Sequence, residues 1–499
     1  MQTVDSWKCG KNPDVMMGLL GLWLASMATA SLAAPTRACR VEGMPNELQC
    51  GVVSRALDPS RPGGTQIDVH FLIVPAMARN KQSDPVLMLA GGPGQSAIAL
   101  APAVLSRLSR LNNRRDLVFI DQRGTGKSAP LQCPDDSKLP VAQALDTAGQ
   151  LQRLQACREG LGKLPHGDMR FYSTTIAMQD FEAVRQAIGA PQWNLVGASY
   201  GTRAALEYLR QYPDKVRRTV LDGVAPPDMV LPASFSADGQ TALDAALQAC
   251  EKDTICARTF PQLRVKWTAL LQGLPRAVVV AHPATGLPER FIFTRDLLLR
   301  SVRSPLYSPA IAAALPAAIY AASEGRLEGL VGLSGALGAS KVTRLAMGMH
   351  FSVVCSEDVP RLGQSVDKAG ADFGPMDANL YKSVCMNWPK AQIPAEFFSV
   401  PTATSPVLLL SGGVDPATPP RHGARIAAAL GARAQHIVVP QAGHGVMSVG
   451  CMREVVFRFI DAKEDAKALP QNADCAINIP RAAVFLPVQT TSTNVLGKS

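Results

Sequence analysis

A serine hydroxyl is a weak nucleophile at neutral pH unless a base takes its proton and an acid holds that base in the right tautomer. This chain carries residues suited to that task. Gly197-Ala198-Ser199-Tyr200-Gly201 places a serine between two glycines. Where such a pentapeptide joins a strand to a helix, the turn is so tight that the flanking positions must lack bulk, and the hydroxyl is pushed into the open. A carboxylate and then an imidazole should follow in chain order. Asp415 follows in Ser411-Gly412-Gly413-Val414-Asp415-Pro416, and His444 in Pro440-Gln441-Ala442-Gly443-His444-Gly445. Ser199 is therefore the expected nucleophile, His444 its base and Asp415 the group that orients the base. Singly, each has a bland reading as a turn serine, a capping carboxylate or a surface-loop histidine. Their order and their placement at strand ends carry the assignment, and His422 ends no strand in that way.

An oxyanion formed at Ser199 needs backbone donors. The Tyr200 N–H opens the predicted helix and supplies one. The second comes from Ala90-Gly91-Gly92-Pro93-Gly94, from Gly91 or Gly92 with Gly92 favoured, unless this is a plain glycine-rich turn. Gly126-Lys127-Ser128 looks like the end of a phosphate-binding loop, but the glycine that loop needs five residues earlier is Asp121, so no nucleotide site is expected. There is no Cys-x-x-Cys and no His-Glu-x-x-His, and neither a metal nor a cofactor is expected.

The elements that must position these residues read as alternating short apolar runs and helical patterns, which predicts βαβ units and a mostly parallel, doubly wound α/β sheet. Thr65 to Phe71 alternates like an edge strand or hairpin. Val86 to Leu89 and Leu117 to Ile120 are buried strands, with helices at Ala97 to Leu111 and Leu151 to Leu161. Thr175 is the expected N-cap of a helix that ends near Gly189, followed by strand Trp193 to Val196, a helix from Tyr200 to Tyr212 and strand Thr219 to Leu221. Between about Pro226 and Val400 the alternation stops and the sequence turns Ala/Leu-rich and helical. It resumes at Val407 to Leu410, continues through His436 to Val439, and ends in a helix with Met452, Val455, Val456, Phe459 and Ile460 on one face. The organisation expected is a signal peptide over 1–34, an α/β core over 35–225, a helical insertion over 226–400 and the rest of the core over 401–499.

The signal reading rests on Lys8 and Lys11, the apolar stretch Val15 to Leu24 and the small residues up to Ala34. That stretch is shorter than the ~20 residues a bilayer span needs, so no stable span is expected once it is removed. Apart from Cys9, the cysteines fall into neighbouring couples: Cys39 and Cys50, Cys133 and Cys157, Cys250 and Cys256, Cys355 and Cys385, Cys451 and Cys475. In an exported chain these read as disulfides, neighbour pairing being one connectivity among those allowed. The net charge of +10 and the basic clusters Arg107 to Arg115 and Lys215 to Arg218 read as solvated surface, and no nucleic-acid partner is expected.

These motifs resemble the prolyl iminopeptidase-like branch of the α/β-hydrolases, especially its secreted tripeptidyl aminopeptidase-like members. Gly91-Gly92-Pro93-Gly94, Asp121-Gln122-Arg123-Gly124-Thr125-Gly126, the serine pentapeptide, the Asp415 and His444 loops and the cysteine-bearing flanks carry the resemblance. Ala90 and Tyr200 stand where prolyl iminopeptidases usually have His and Trp, which favours the broader-specificity relatives. The resemblance implies a helical cap whose acidic residues bind a peptide's free ammonium, and Glu357 and Asp358 are the residues expected to do so, the alternative being a solvated acidic turn. The function implied is an exported aminopeptidase, periplasmic or extracellular, acting on peptides with a free N-terminus through an acyl-enzyme. A carboxylesterase with the same residues and a non-catalytic binding protein on the same fold are the alternatives.

Overall fold

Buried runs such as Val86–Leu89 and Leu117–Ile120 have no polar face, as expected of strands covered by helices on both sides. The computed structural model describes residues 36–486 apart from 137–138, 141–142, 144–145, 283–284, 335–343 and 376. The expected signal peptide over 1–34 lies outside the described residues. In chain order the strands are β1 (Arg37–Cys39), β2 (Leu48–Ala56), β3 (Gln66–Val74), β4 (Val86–Leu89), β5 (Leu117–Ile120), β6 (Trp193–Ala198), β7 (Val216–Asp222), β8 (Arg276–Ala281), β9 (Pro288–Phe293), β10 (Val407–Gly412) and β11 (Ala434–Val439).

Nine of them form one sheet in the order β1-β2-β3-β5-β4-β6-β7-β10-β11. The first three pair antiparallel, and from β5 to β11 every pairing is parallel. Side chains alternate across each strand, so the sheet has two cores. Val86 and Met88 face the helices Ala97–Asn112 and Met452–Asp461. Leu87 and Leu89 face Thr174–Ala187, Tyr200–Gln211 and Pro420–Leu430. This is the α/β-hydrolase fold, a mostly parallel sheet wound on both faces.

Several local expectations need correction. Of the two readings of Thr65–Phe71, the hairpin holds, since β3 pairs antiparallel with the preceding β2, and the edge does not, since β5 pairs on its other side and β1 takes the edge. Ser173, not Thr175, caps the next helix, its hydroxyl accepting from the Ile176 N–H, because the helix already begins at Thr174. The insertion is not wholly helical, since β8 and β9 form a separate antiparallel hairpin there. Among the described residues, no strand of the large sheet lies between Asp222 and Val407. That stretch has a core of its own around Leu243, Trp267, Phe293, Leu298 and Ile319. The basic clusters are also less solvated than expected. Arg115 is buried against Asp84 at 3.1 Å and Asp461 at 2.7 Å, and Arg218 is buried with Asp465 at 2.5 Å, which ties the C-terminal segment to the sheet.

Disulfides join each cysteine to its neighbour in sequence. Cys39 is bonded to Cys50, and Cys133 to Cys157. Within the insertion Cys250 is bonded to Cys256 and Cys355 to Cys385, and near the C-terminus Cys451 is bonded to Cys475. The first of these links β1 to β2 diagonally, Arg37 standing opposite Cys50 and Cys39 opposite Leu48. Among the described residues no helix is long and apolar enough to cross a membrane.

The junction between core and insertion is ionic. Arg203, on the helix that follows Ser199, makes a bidentate pair with Asp358, both bonds 3.1 Å, and lies 3.7 Å from Glu357. Its remaining N–H groups donate to the Pro226 and Met229 carbonyls. All three side chains are almost wholly buried. Removing the guanidinium leaves two buried carboxylates without their cation. Arg203→Ala should therefore lower the unfolding free energy by about 3–5 kcal/mol, whereas Arg425→Ala, which breaks an exposed pair with Asp228, should cost less than about 1 kcal/mol. Chemical denaturation of the two variants checks this, and equal losses would contradict it.

Candidate active site

Ser199 sits where β6 ends and its helix begins, with φ 56° and ψ −124°, a left-handed conformation that costs a non-glycine residue energy. Packing compels it. A Cβ on Gly197 would stand 2.4 Å from the Gly201 carbonyl oxygen, and one on Gly201 would stand 2.2 Å from that of Leu89. The helix thus abuts the sheet directly, and the Ser199 N–H is held by the Asp222 carbonyl at 2.9 Å.

The neighbouring parallel strands bring the other groups to the same edge. The loop after β10 carries Asp415, 1% exposed, and the loop after β11 carries His444. Asp415 Oδ1 accepts from the Ala417 and Thr418 N–H groups at 2.8 and 2.9 Å. Its Oδ2 accepts from Thr418 Oγ1 and His444 Nδ1, both at 2.8 Å. With both oxygens engaged, the carboxylate cannot turn away from the imidazole, and Nδ1 carries the proton while Nε2 is left as the basic nitrogen. The His444 N–H donates to the Tyr307 carbonyl at 2.9 Å, and the Tyr307 ring packs edge-on against the imidazole. Asp222, the last residue of β7, accepts from the Val446 and Met447 N–H groups and so pins the chain beyond His444.

Burial works against charge on His444, but the Asp415 carboxylate and its hydrogen bond, with Asp222 adding, hold the imidazole pKa above 6.5. Burial would likewise raise Asp415, yet the imidazole and the two backbone N–H groups hold it below the ordinary carboxylate value. The pair therefore favours carboxylate beside imidazolium, the charge state that forms when the base takes a proton.

Ser199 and His444 line one cavity of about 730 Å³ together with Gly91 and Gly92. Among the described residues the Ser199 hydroxyl makes no hydrogen bond, and hydrogen bonds between a nucleophile and its base are commonly long in empty sites. Gly92, Ser199 and Tyr200 also border a smaller cavity of about 60 Å³, which brings together the residues expected to form the oxyanion hole. Gly92 has φ +113°, and a Cβ on Gly91 would lie 3.3 Å from that of Ser199, so this loop requires glycines. His350 Nδ1 donates to the Pro93 carbonyl at 3.2 Å and its Nε2 accepts from the Tyr381 hydroxyl at 3.0 Å, bracing the loop from the insertion. Burial keeps this histidine neutral, its pKa pushed down to about 4.

Glu357 and Asp358 do not meet the expectation placed on them. Neither lines a cavity at Ser199. Glu357 accepts from the Thr174 N–H at 2.8 Å and hydroxyl at 3.0 Å, and Asp358 holds Arg203 and the Leu231 N–H. Nor is the cluster a solvated turn, since both are wholly buried. Burial raises Glu357 to about 7 despite Arg203. The bond from Cys355 to Cys385 does fix this segment, but it holds the two carboxylates toward the core rather than toward the cavity. Asp121 explains why the Gly126-Lys127-Ser128 loop is no phosphate site: its carboxylate occupies the loop, bonded to the Ser96 hydroxyl and the Ile98 and Lys127 N–H groups. Sequence reasoning missed Asp222, Thr418 and Tyr307. Asp222 ends a strand just as Asp415 and His444 follow theirs, which was a usable signal, whereas Tyr307 comes from the insertion and had none. Among the described residues no cluster of side chains suits a metal ion.

A family model described as alpha/beta hydrolase fold matches residues 84–256, and another described as TAP-like protein matches residues 371–474. The chain has the α/β-hydrolase fold, and its resemblance is to the tripeptidyl aminopeptidase-like branch. A tripeptidyl aminopeptidase of Streptomyces coelicolor is 31% identical over 201 residues, covering 37% of this chain and 36% of that protein. The serine protease Hip1 of Mycobacterium bovis is 29% identical over 224 residues, 41% of this chain and 42% of the relative. Both alignments span well under half of the relatives' length. Carboxylesterase B of Mycobacterium tuberculosis is 27% identical over 420 residues, covering 77% of this chain and 78% of that protein.

With His444 as the expected base, only its neutral form can accept the Ser199 proton, so hydrolysis should rise with pH along a limb whose apparent pKa lies above 6.5. Asp415→Asn removes the stabilising charge, so this limb should shift to lower pH, and kcat should fall by about 10³–10⁴. A pH–rate profile with an activated ester checks both, and an unshifted limb would count against the Asp415–His444 coupling.

Proposed function

We propose that this chain is an exported serine aminopeptidase that releases residues or short peptides from free N-termini through an acyl-enzyme. The observation that carries the reading is the Asp415–His444 hydrogen bond at 2.8 Å, placed at the same sheet edge and facing the same cavity as the strained Ser199. Ser199 attacks the scissile carbonyl while His444 Nε2 takes its proton and Asp415 stabilises the imidazolium. The oxyanion forms against the Tyr200 and Gly92 N–H groups. His444 then protonates the leaving amine, and water repeats the sequence to free the acyl group.

A peptidase that acts at chain ends needs a carboxylate for the desolvated ammonium. With Glu357 and Asp358 taken up by Arg203 and Thr174, Asp377 is the residue we assign to this role. It lines the cavity that holds Ser199 and His444, and instead of capping its own helix, Ala378–Met386, its carboxylate turns to Arg300 at 2.7 Å. Five disulfides fit an oxidising compartment outside the cytoplasm. The long alignment with a carboxylesterase supports a second reading in which the same residues cleave esters, because a serine acyl-transfer site does not by itself distinguish ester from amide.

A panel of aminoacyl- and tripeptidyl-arylamides alongside acyl esters separates the two, with Ser199→Ala as control. Cleavage of esters alone sinks the peptidase reading. Within the peptidase reading, Asp377→Asn should raise KM for free-amine substrates by about tenfold, the worth of one charge-assisted hydrogen bond, and should leave N-acylated ones nearly unaffected. Glu357→Gln should spare KM for both.

A further inference from the structure

The cavity at Ser199 holds more positive charge than an ammonium site alone would require. Arg300 and Arg303 lie one turn apart on the helix Arg295–Leu306 and both line it, as does Arg107 from the core. Arg300 shares Asp377. Arg303 shares nothing anionic: among the described residues no carboxylate lies within ion-pair distance of it. Arg115, Arg123, Arg203 and Arg218, which are buried for structural reasons, each have one. What holds Arg303 is aromatic. Its guanidinium lies over the Phe235 ring at 4.2 Å and near the Tyr307 ring at 5.5 Å, and one nitrogen donates to the Tyr307 hydroxyl at 3.1 Å. Its Nε is buried and has no hydrogen-bond partner, and so is that of Arg300.

A guanidinium fixed by stacking, with donors unfilled, presents a rigid fork that matches a carboxylate. It also stands near the reacting groups, since Tyr307 touches both Arg303 and His444. The other carboxylate on the cavity wall, Asp222, is already bonded to two backbone N–H groups and does not compensate it. Closing a substrate over an unpaired guanidinium carries a desolvation cost unless the substrate brings an acceptor.

We propose that Arg303, supported by Arg300, is a carboxylate-recognition subsite, so that the preferred substrates carry an anionic group close to the scissile bond. This rests on Ser199 as the nucleophile, but not on the choice between peptide and ester. The carboxylate could come from an acidic side chain on the acyl residue or from the free C-terminus of a short peptide.

The test measures kcat/KM for matched pairs that differ only in that charge: glutamyl- against glutaminyl-arylamide, a tetrapeptide acid against its C-terminal amide, and the 4-nitrophenyl monoester of glutaric acid against that of its monoamide. The wild-type protein should favour the anionic member about tenfold in at least one pair, roughly the worth of one hydrogen bond to a charged group. The first pair identifies a side chain and the second a chain end. Arg303→Gln should bring that ratio close to one and Arg303→Lys should keep part of it. The ratio does not depend on how much variant folds, because both members report on the same active molecules. Free glutarate should also inhibit the wild-type protein competitively, and its monoamide should not. Ratios near one in every pair, or a preference that survives Arg303→Gln, overturn the proposal. If only the ester pair is hydrolysed and shows the preference, the subsite stands and the peptidase reading falls.

Discussion

The structure depends on one cramped turn. Ser199 can stand clear of the sheet only because β6 passes into a helix with no intervening loop, and that passage is open only to residues without a Cβ at Gly197 and Gly201. The strained backbone at Ser199 is the local cost of this geometry. It is sustained by the burial of the helix against β4, by the Ser199–Asp222 backbone bond and by the Thr202 hydroxyl on the Ser199 carbonyl. Parallel neighbours do the rest. Because β6, β7, β10 and β11 run in one direction, the loops that leave them emerge at one edge, and residues from distant parts of the chain meet there without further device.

The insertion is part of this site rather than a lid resting on it. Tyr307 supplies both a carbonyl and a ring to His444, His350 braces Pro93 next to Gly91 and Gly92, and Asp358 grips Arg203 on the helix that follows Ser199. Each contact ties the insertion to a different part of the candidate site. The arrangement also explains why burial does not neutralise Asp415 or Arg203. Asp415 is charged because both of its oxygens face donors, and Arg203 because Asp358 holds it through two bonds with Glu357 beside it.

Composition and order along the chain carried the site a long way. The strand-turn-helix around Ser199, the apolar strands leading into Asp415 and His444, and the glycines at 91 and 92 are local features, and local features are written in neighbouring residues. The same holds for couples such as Cys250 and Cys256, whose members lie close in sequence and are also close in space. The helix cap at Ser173 was misread by two residues because Ser173, Thr174 and Thr175 are all good cap formers, and only the packing of the helix decides among them.

What the sequence determined by itself was the chemistry available and the order in which it is delivered, because strand patterns, tight turns and a serine-acid-histidine succession depend on short-range sterics and periodicity. The tertiary structure alone decided which charges are free to meet a substrate. Glu357, Asp358, Asp377 and Arg303 look alike as exposed-type residues in the sequence, yet the first two are consumed by partners away from the cavity, and the last two face the cavity, Asp377 beside Arg300 and Arg303 with no carboxylate among the described residues. A charge acquires its role from what it is paired with, and pairing across hundreds of residues is a property of packing that no local pattern encodes.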